Sequence, residues 1–347
     1  MKNRNPAITR RQFLRQSARG AGWFGVGSAW LAASGRVGSA GAAQKGANPF
    51  AYDLERVSKT DPRLIRYEQV ARFASPSPAP RRLAVGPEDR LYIAASNGVS
   101  VLDRAGAQLD EIALPAPARC VAVATDGTVY AGLREHVEVF DRKGQRLAAW
   151  GSPGKKAWLT GLAVAGQDVF VADAGNRVVL HYDKSGQLAG RIGEKNKDRH
   201  IPGLIVPSPY LDVAVARDGL LRVNNPGRHC VEVYTVKGDL EFAWGKPGAG
   251  IEGFCGCCNP VAVALLADGR YVTCEKGLPR VKIYSASGAF ESVVVGPESL
   301  PENARAGALK DTSDGLLGGL DAAVDSQGRI YVLDLVAADV RVMKAKT

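Results

Sequence analysis

The chain has 347 residues, 46% of them hydrophobic and 23% charged. That balance suits a folded globular protein and excludes a collagen-like or low-complexity one. A net charge of +10 hints at nucleic acid, but seven of those charges fall in residues 1–42, which carry no acid. The three left over make too weak a field to grip a phosphate backbone, so no nucleic-acid partner is expected.

In chain order, the first element is a basic tail ending in Thr9-Arg10-Arg11-Gln12-Phe13-Leu14-Arg15. A Gly- and Ala-rich apolar stretch, 20–33, follows, too short and too weakly apolar to span a bilayer. Ala40-Gly41-Ala42 then supplies small residues at cleavage spacing. The Thr9–Arg15 run resembles the twin-arginine export motif, and the resemblance implies a protein carried out already folded. Residues 1–42 are therefore read as a signal peptide and 43–65 as a lead-in. The mature protein is expected in the periplasm or outside the cell, as a monomer without a membrane span.

From about residue 80 a unit recurs six times. Its first strands read Leu83-Ala84-Val85, Val121-Ala122-Val123, Leu162-Ala163-Val164, Val213-Ala214-Val215, Val261-Ala262-Val263 and Ala322-Ala323-Val324. Turns recur as Asp126-Gly127, Asp218-Gly219, Asp268-Gly269 and Gln327-Gly328. Third strands include Val99–Leu102, Val137–Phe140, Val178–Tyr182, Val231–Tyr234, Val281–Tyr284 and Val340–Met343. Six such units predict an all-β, six-bladed β-propeller over residues 66–347.

Asn176-Arg177-Val178-Val179-Leu180-His181-Tyr182-Asp183-Lys184-Ser185-Gly186 resembles an NHL repeat, and Arg280–Tyr284 repeats its core. The resemblance covers roughly residues 80–347 and implies a fold far more than an activity. The sixth unit ends after its third strand, while 66–73 reads like the outer strands 145–150 and 239–244. This N-terminal strand is predicted to pair with Val340–Met343 and close the ring.

Antiparallel counting places the loops that enter each first strand, and those between second and third strands, on one face. All six cysteines fall on or near it. Cys255, Cys257 and Cys258 lie in the loop entering unit five, Cys120 begins a first strand, Cys274 ends a second strand and Cys230 precedes a third. Three readings of these thiols stand open. An even count in an exported protein suits disulfides, such as Cys230–Cys274 or pairs within the 255–258 cluster. Alternatively, Cys255, Cys257, Cys258, Cys274 and Cys230 could supply thiolates for a metal or an iron–sulfur cluster, although Cys-Gly-Cys-Cys is not a standard ligand spacing. The third is thiol redox chemistry at the vicinal pair Cys257 and Cys258.

Channel-mouth candidates are Arg82, Cys120, Asp212, Asn259 and Asp321. Asp212 and Asp321 could serve a channel metal of a hydrolase or lyase, but pairing with Arg82 or Arg119 is the favoured reading. Asp173, Asn225, Glu275 and Asp334 end second strands and are expected to brace loops by accepting backbone N–H groups. Arg177, Arg280 and Arg341 are expected to brace blades. His136, His200 and His229 fall in loops of the same face; His181 is expected to pack within its strand. No catalytic constellation is evident. The expectation is an exported binding or scaffold module that uses its cysteine-bearing face for an envelope protein or small ligand.

Overall fold

A computed structural model describes residues 57–300 and 318–347. The expected signal peptide, its cleavage site and most of the lead-in lie outside the described residues.

Six antiparallel four-stranded sheets form the blades of a six-bladed propeller. Blade 1 runs Arg82–Val85, Leu91–Ala95, Gly98–Leu102 and Gln108–Ala113 from the axis outward, and blades 2 to 5 repeat that order. Blade 6 takes Leu320–Val324, Ile330–Asp334 and Asp339–Ala345 from the C-terminus. Its outer strand is Tyr67–Ala74, which pairs antiparallel with Phe73 opposite Val340 and Ala71 opposite Val342. The ring is therefore closed by the N-terminal strand, as the left-over strand predicts.

Why this strand fits is visible in the seams between blades. Trp150 directly follows the outer strand of blade 2 and Trp244 ends that of blade 4, each wedged against the next blade. Trp150 lies 5.1 Å from Tyr182 in blade 3, and Trp244 lies 4.7 Å from Tyr284 in blade 5. A Cβ on Gly186 or Gly288 would strike these indoles at 2.5 and 2.3 Å, so the turn must be glycine for the rings to seat. Phe73 fills the equivalent slot against Gly106 of blade 1, where a Cβ would come within 2.3 Å. An aromatic at the end of 66–73 thus locks blade 6 to blade 1.

Inside the blades the second and third strands are almost wholly buried, while the outer strands of blades 1 to 4 and 6 are mostly exposed. Each inner strand places an alanine along the channel wall: Ala84, Ala122, Ala163, Ala214, Ala264 and Ala323 are among its lining residues. Small side chains are what six converging strands leave room for. Ile65 of the lead-in bridges to Val293 on the outer strand of blade 5. No helix among the described residues is long and apolar enough to cross a membrane.

Candidate functional site

Two polar centres occupy the face expected to carry the thiols. The first closes the axis. Arg82, the first residue of the first inner strand, projects across the channel. Its guanidinium donates to Asp321 at 2.9 Å, to the Thr160 carbonyl at 2.9 Å and, at 3.4 Å, to both Asp212 and the Val261 carbonyl. One side chain of blade 1 thereby touches blades 3, 4 and 6 and the start of blade 5. Each aspartate also accepts a backbone N–H from the next blade, Asp321 from Leu83 at 2.7 Å and Asp212 from Val263 at 3.0 Å. Gly161 permits this, because a Cβ there would meet Asp212 Oδ1 at 2.6 Å.

Burial pushes the Asp212 carboxyl up to about 6, with Asp321 adding to the rise and Arg82 opposing it. Burial likewise pushes the Cys120 thiol beside Arg82 up to about 12. Below the plug the channel is a cavity of about 280 Å³. It shares Val85, Val123, Val215 and Val324 with a vestibule of about 600 Å³ bounded by Asp89, Arg217 and Ser326 at the inner-to-second-strand turns. The channel therefore opens on the face opposite the cysteines. On the cysteine side of the plug, Arg81, Arg82, Arg119, Thr160 and Tyr210 line a pocket of about 20 Å³.

Of the channel-mouth candidates, Arg82, Cys120, Asp212 and Asp321 meet at the axis. Asn259 does not line it. Its side chain is buried and staples the cysteine loop, accepting from the Lys276 N–H at 2.9 Å and donating to the Lys276 carbonyl at 2.9 Å and the Cys255 carbonyl. The reason is length: the chain reaches the axis only at Val261, two residues later, where its carbonyl meets Arg82.

The second centre underlies the loop entering blade 5. Glu275 directly follows the second strand of blade 5, Tyr271–Cys274, and its carboxylate accepts the Cys255 N–H at 3.1 Å and both Arg280 Nε at 2.6 Å and Nη2 at 3.0 Å. Lys282 lies 3.2 Å from the same carboxylate and donates to the Gly253 carbonyl at 2.7 Å and the Ile251 carbonyl at 3.1 Å. Arg280 reaches the Ala249 and Gly253 carbonyls. Burial pushes Lys282 down to about 8, against the pull of Glu275. Phe254 is sealed beneath, 4.6 Å from the Lys282 ammonium and 6.1 Å from Trp244. His229 of blade 4 contacts the Gly256 carbonyl from the other side.

The loop-bracing role expected of the second-strand ends is visible as a repeated clamp. Asp173 accepts the Trp158 N–H, Asn225 the Ile205 N–H and Glu275 the Cys255 N–H, each from the loop entering its own blade. Asp334 instead accepts Val336 and Ala337 in its own turn. Arg280 and Arg341 hold the loops between blades, Arg341 through the Ser299 carbonyl at 2.7 Å. Arg177 departs from the bracing expected of it: it sits exposed at a positive φ of 57° in the turn before its strand. His136 pairs with Glu138, and His181 stacks on Phe170 at 4.8 Å while meeting Asp168.

All six cysteines are free thiols. The Cys230–Cys274 pair, one of the disulfides the sequence leaves open, is not bonded, because the two thiols point into different surroundings. Cys274 packs with Val261, Leu320 and Ala322 on the blade 6 side of its sheet, and burial beside Asp321 holds its thiol well above the usual range. Cys230 sits near Glu232 and Arg228, its thiol pushed up to about 12 by burial. A single centre from Cys255, Cys257, Cys258, Cys274 and Cys230 is not assembled either. Among the described residues no three His, Cys, Asp or Glu side chains converge as a metal-holding group.

What the structure does bring together is Cys257 and Cys258, with their sulfurs 3.1 Å apart. Cys257 is exposed, whereas Cys258 is 3% exposed and backed by Ser208 and Lys276. Lys276 lies 4.1 Å from the Tyr210 ring and donates to Ser208 Oγ at 3.2 Å. Burial works against the Cys258 thiolate, but Ser208, the Cys257 S–H and the Lys276 ammonium outweigh it and lower the thiol's pKa. Ser208 and Lys276 carry no sequence signal for this role; only the fold sets them beside Cys258.

No family model matches the chain, and no curated protein matches it. Solved structures do. A streptogramin B lyase is 13% identical with a TM-score of 0.54, over 81% of this chain and 97% of the lyase. Virginiamycin B lyase from Staphylococcus aureus is 14% identical with a TM-score of 0.55, over 81% of this chain and all of that one. A chain of the mitotic checkpoint complex is 12% identical with a TM-score of 0.54, over 93% of this chain. Such different proteins share the architecture, so the likeness establishes the propeller fold and leaves the activity open.

Proposed function

We propose that this chain is an exported, NHL-type propeller that works as a binding module through its cysteine-bearing face. The observation that carries the reading is the set of buried charges beneath the loop entering blade 5. Glu275, Arg280 and Lys282 are all essentially unexposed, and their hydrogen bonds run to backbone groups between Ala249 and Cys255. Burying charge is costly, and buried pairs are weak evidence of net stability. Here they fix the path of one surface loop, and an ordered loop loses less entropy when a partner docks. On the same face the exposed Arg134 lies 4.0 Å from the Trp158 ring, which shares a pocket with Ser208. Arginine and large aromatics are the residue types that dominate protein contact energetics. The twin-arginine-like motif at Arg10-Arg11 supports export, and with it a partner in the cell envelope.

A channel-metal hydrolase or lyase is the weaker reading. Asp212 and Asp321 are already engaged by Arg82 and by backbone N–H groups.

Face-specific photo-cross-linking tests the proposal. A thiol-attached cross-linker is placed on Cys257 of one sample. Another carries it on an Arg217→Cys, Cys257→Ser variant, whose new thiol lines the opposite vestibule. Envelope extract should give a discrete adduct from Cys257 and none from the opposite face. An adduct formed only from position 217 would overturn the assignment.

A further inference from the structure

We infer that Cys257 and Cys258 form a dithiol that exchanges with low-molecular-weight disulfides and closes on itself as a Cys257–Cys258 disulfide. Four observations on this loop converge. The two sulfurs are already 3.1 Å apart. Cys257 is the exposed member, within reach of a small reagent, and Cys258 is buried behind it. The buried sulfur rests against Ser208 and the Lys276 ammonium, and Lys276 is held in place by Tyr210 and Ser208. Finally, Asn259, Glu275 and His229 anchor the backbone on both sides, so the pair is presented rather than left to find its geometry.

The remaining cysteines lack this combination. Cys120, Cys230 and Cys274 are buried with their thiols pushed up by burial. Cys255 lends its N–H to Glu275 and its carbonyl to Asn259.

The steps balance. In its reactive form the pair is one thiol and one thiolate, which share a single proton across the 3.1 Å contact. As the Cys257 sulfur attacks a disulfide RSSR, Cys258 takes that proton. The Cys257–SR bond forms, the S–S bond breaks and one RS⁻ leaves. Cys258 then gives up the proton to that RS⁻ and attacks the Cys257 sulfur. The Cys257–Cys258 bond forms and a second RS⁻ is expelled. In sum, one thiol, one thiolate and RSSR yield the protein disulfide, RSH and RS⁻. RSSR is the oxidant and gains the two electrons that the protein sulfurs lose.

Adjacent residues hold their Cα atoms about 3.8 Å apart, closer than disulfides ordinarily favour. The product is therefore easily reduced, and excess small thiol reverses the exchange. This chemistry needs no partner on the face, so it stands or falls separately from the binding reading.

The test is a thiol inventory of the full folded chain after incubation with oxidised glutathione, quenched by alkylation and read by intact mass. Wild type should lose two thiols and gain no glutathione, and reduced glutathione should restore both. Cys255→Ser should behave the same. Cys258→Ser should stop at a stable glutathione adduct, and Cys257→Ser should lose no thiol pair. Because Cys257 is exposed, its Ser variant keeps the fold, which the melting curve checks. Lys276→Met should slow closure roughly fivefold by withdrawing the ammonium from Cys258. Loss of a thiol pair in Cys257→Ser, a pair that vanishes in Cys255→Ser, or an unchanged inventory in wild type would each overturn the inference.

Discussion

The axis and the blade 5 rim both bury charge, yet they use it in opposite ways. At the axis Arg82 reaches into strands that would stay in place as sheets without it, and it ties blade 1 to the far side of the ring. At the rim Glu275, Arg280 and Lys282 serve a loop that lies outside the six sheets and has one β-bridge, Pro247 to Phe254. The first network acts on global stability and seals a channel. The second acts on local order and presents a surface. The difference teaches that a buried ion pair should be judged by what it holds, because removing it from two places breaks two different things.

The largest effect should come from Arg82→Met. It leaves Asp212 and Asp321 facing each other without their cation, and losing one partner of a buried pair costs about 3–5 kcal/mol. Urea unfolding should show that loss as a shift of the whole transition. A loss under about 1 kcal/mol would mean that water reaches the two carboxylates despite their burial.

Asp212→Asn sharpens the same centre through pH. The folded carboxyl sits near 6 against an ordinary 3.8, so the folded state holds more protons between those values. Stability from this group is thus present at low pH and lost as pH rises from about 4 to 6. The rise is worth about 3 kcal/mol in all. The Asn variant lacks that loss, so its stability relative to wild type should improve by up to that amount between pH 4 and 7. A difference that stays flat with pH would contradict the assignment.

At the rim, Asn259→Ala removes three hydrogen bonds to Cys255 and Lys276. It should cost about 1–3 kcal/mol, since it leaves buried backbone groups unpaired. Its mark should be faster alkylation of the buried Cys258 while the inner strands keep their exchange protection.

Much of the fold can be read from local pattern. The Val-Ala-Val inner strands, the Asp-Gly turns and the left-over strand ending in Phe73 each carry a local signal, and alternation turns them into blades. Positions ahead of inner strands also map to the axis, which brings Arg82, Cys120, Asp212 and Asp321 together. The rest depends on contacts that no local pattern encodes. Arg82 finds Thr160 and Val261 only because a long side chain can span a ring whose diameter is set by six blades. Ser208 meets Lys276 because the loop entering blade 4 folds over blade 5. Counting loops puts Cys255, Cys257, Cys258, Cys230 and Cys274 on one face, but side-chain direction in the two sheets separates them. Asn259 was misplaced for a related reason: position along the loop does not tell where the chain turns toward the axis.

The most direct measurement for the account is amide hydrogen exchange over residues 249–260 in wild type and Glu275→Gln. The wild-type loop should exchange nearly as slowly as the blade 5 strands, and the variant should release it while the strands around Arg82 stay protected. A wild-type loop that exchanges like unstructured chain would contradict the claim that the buried charges of blade 5 exist to hold this surface ready.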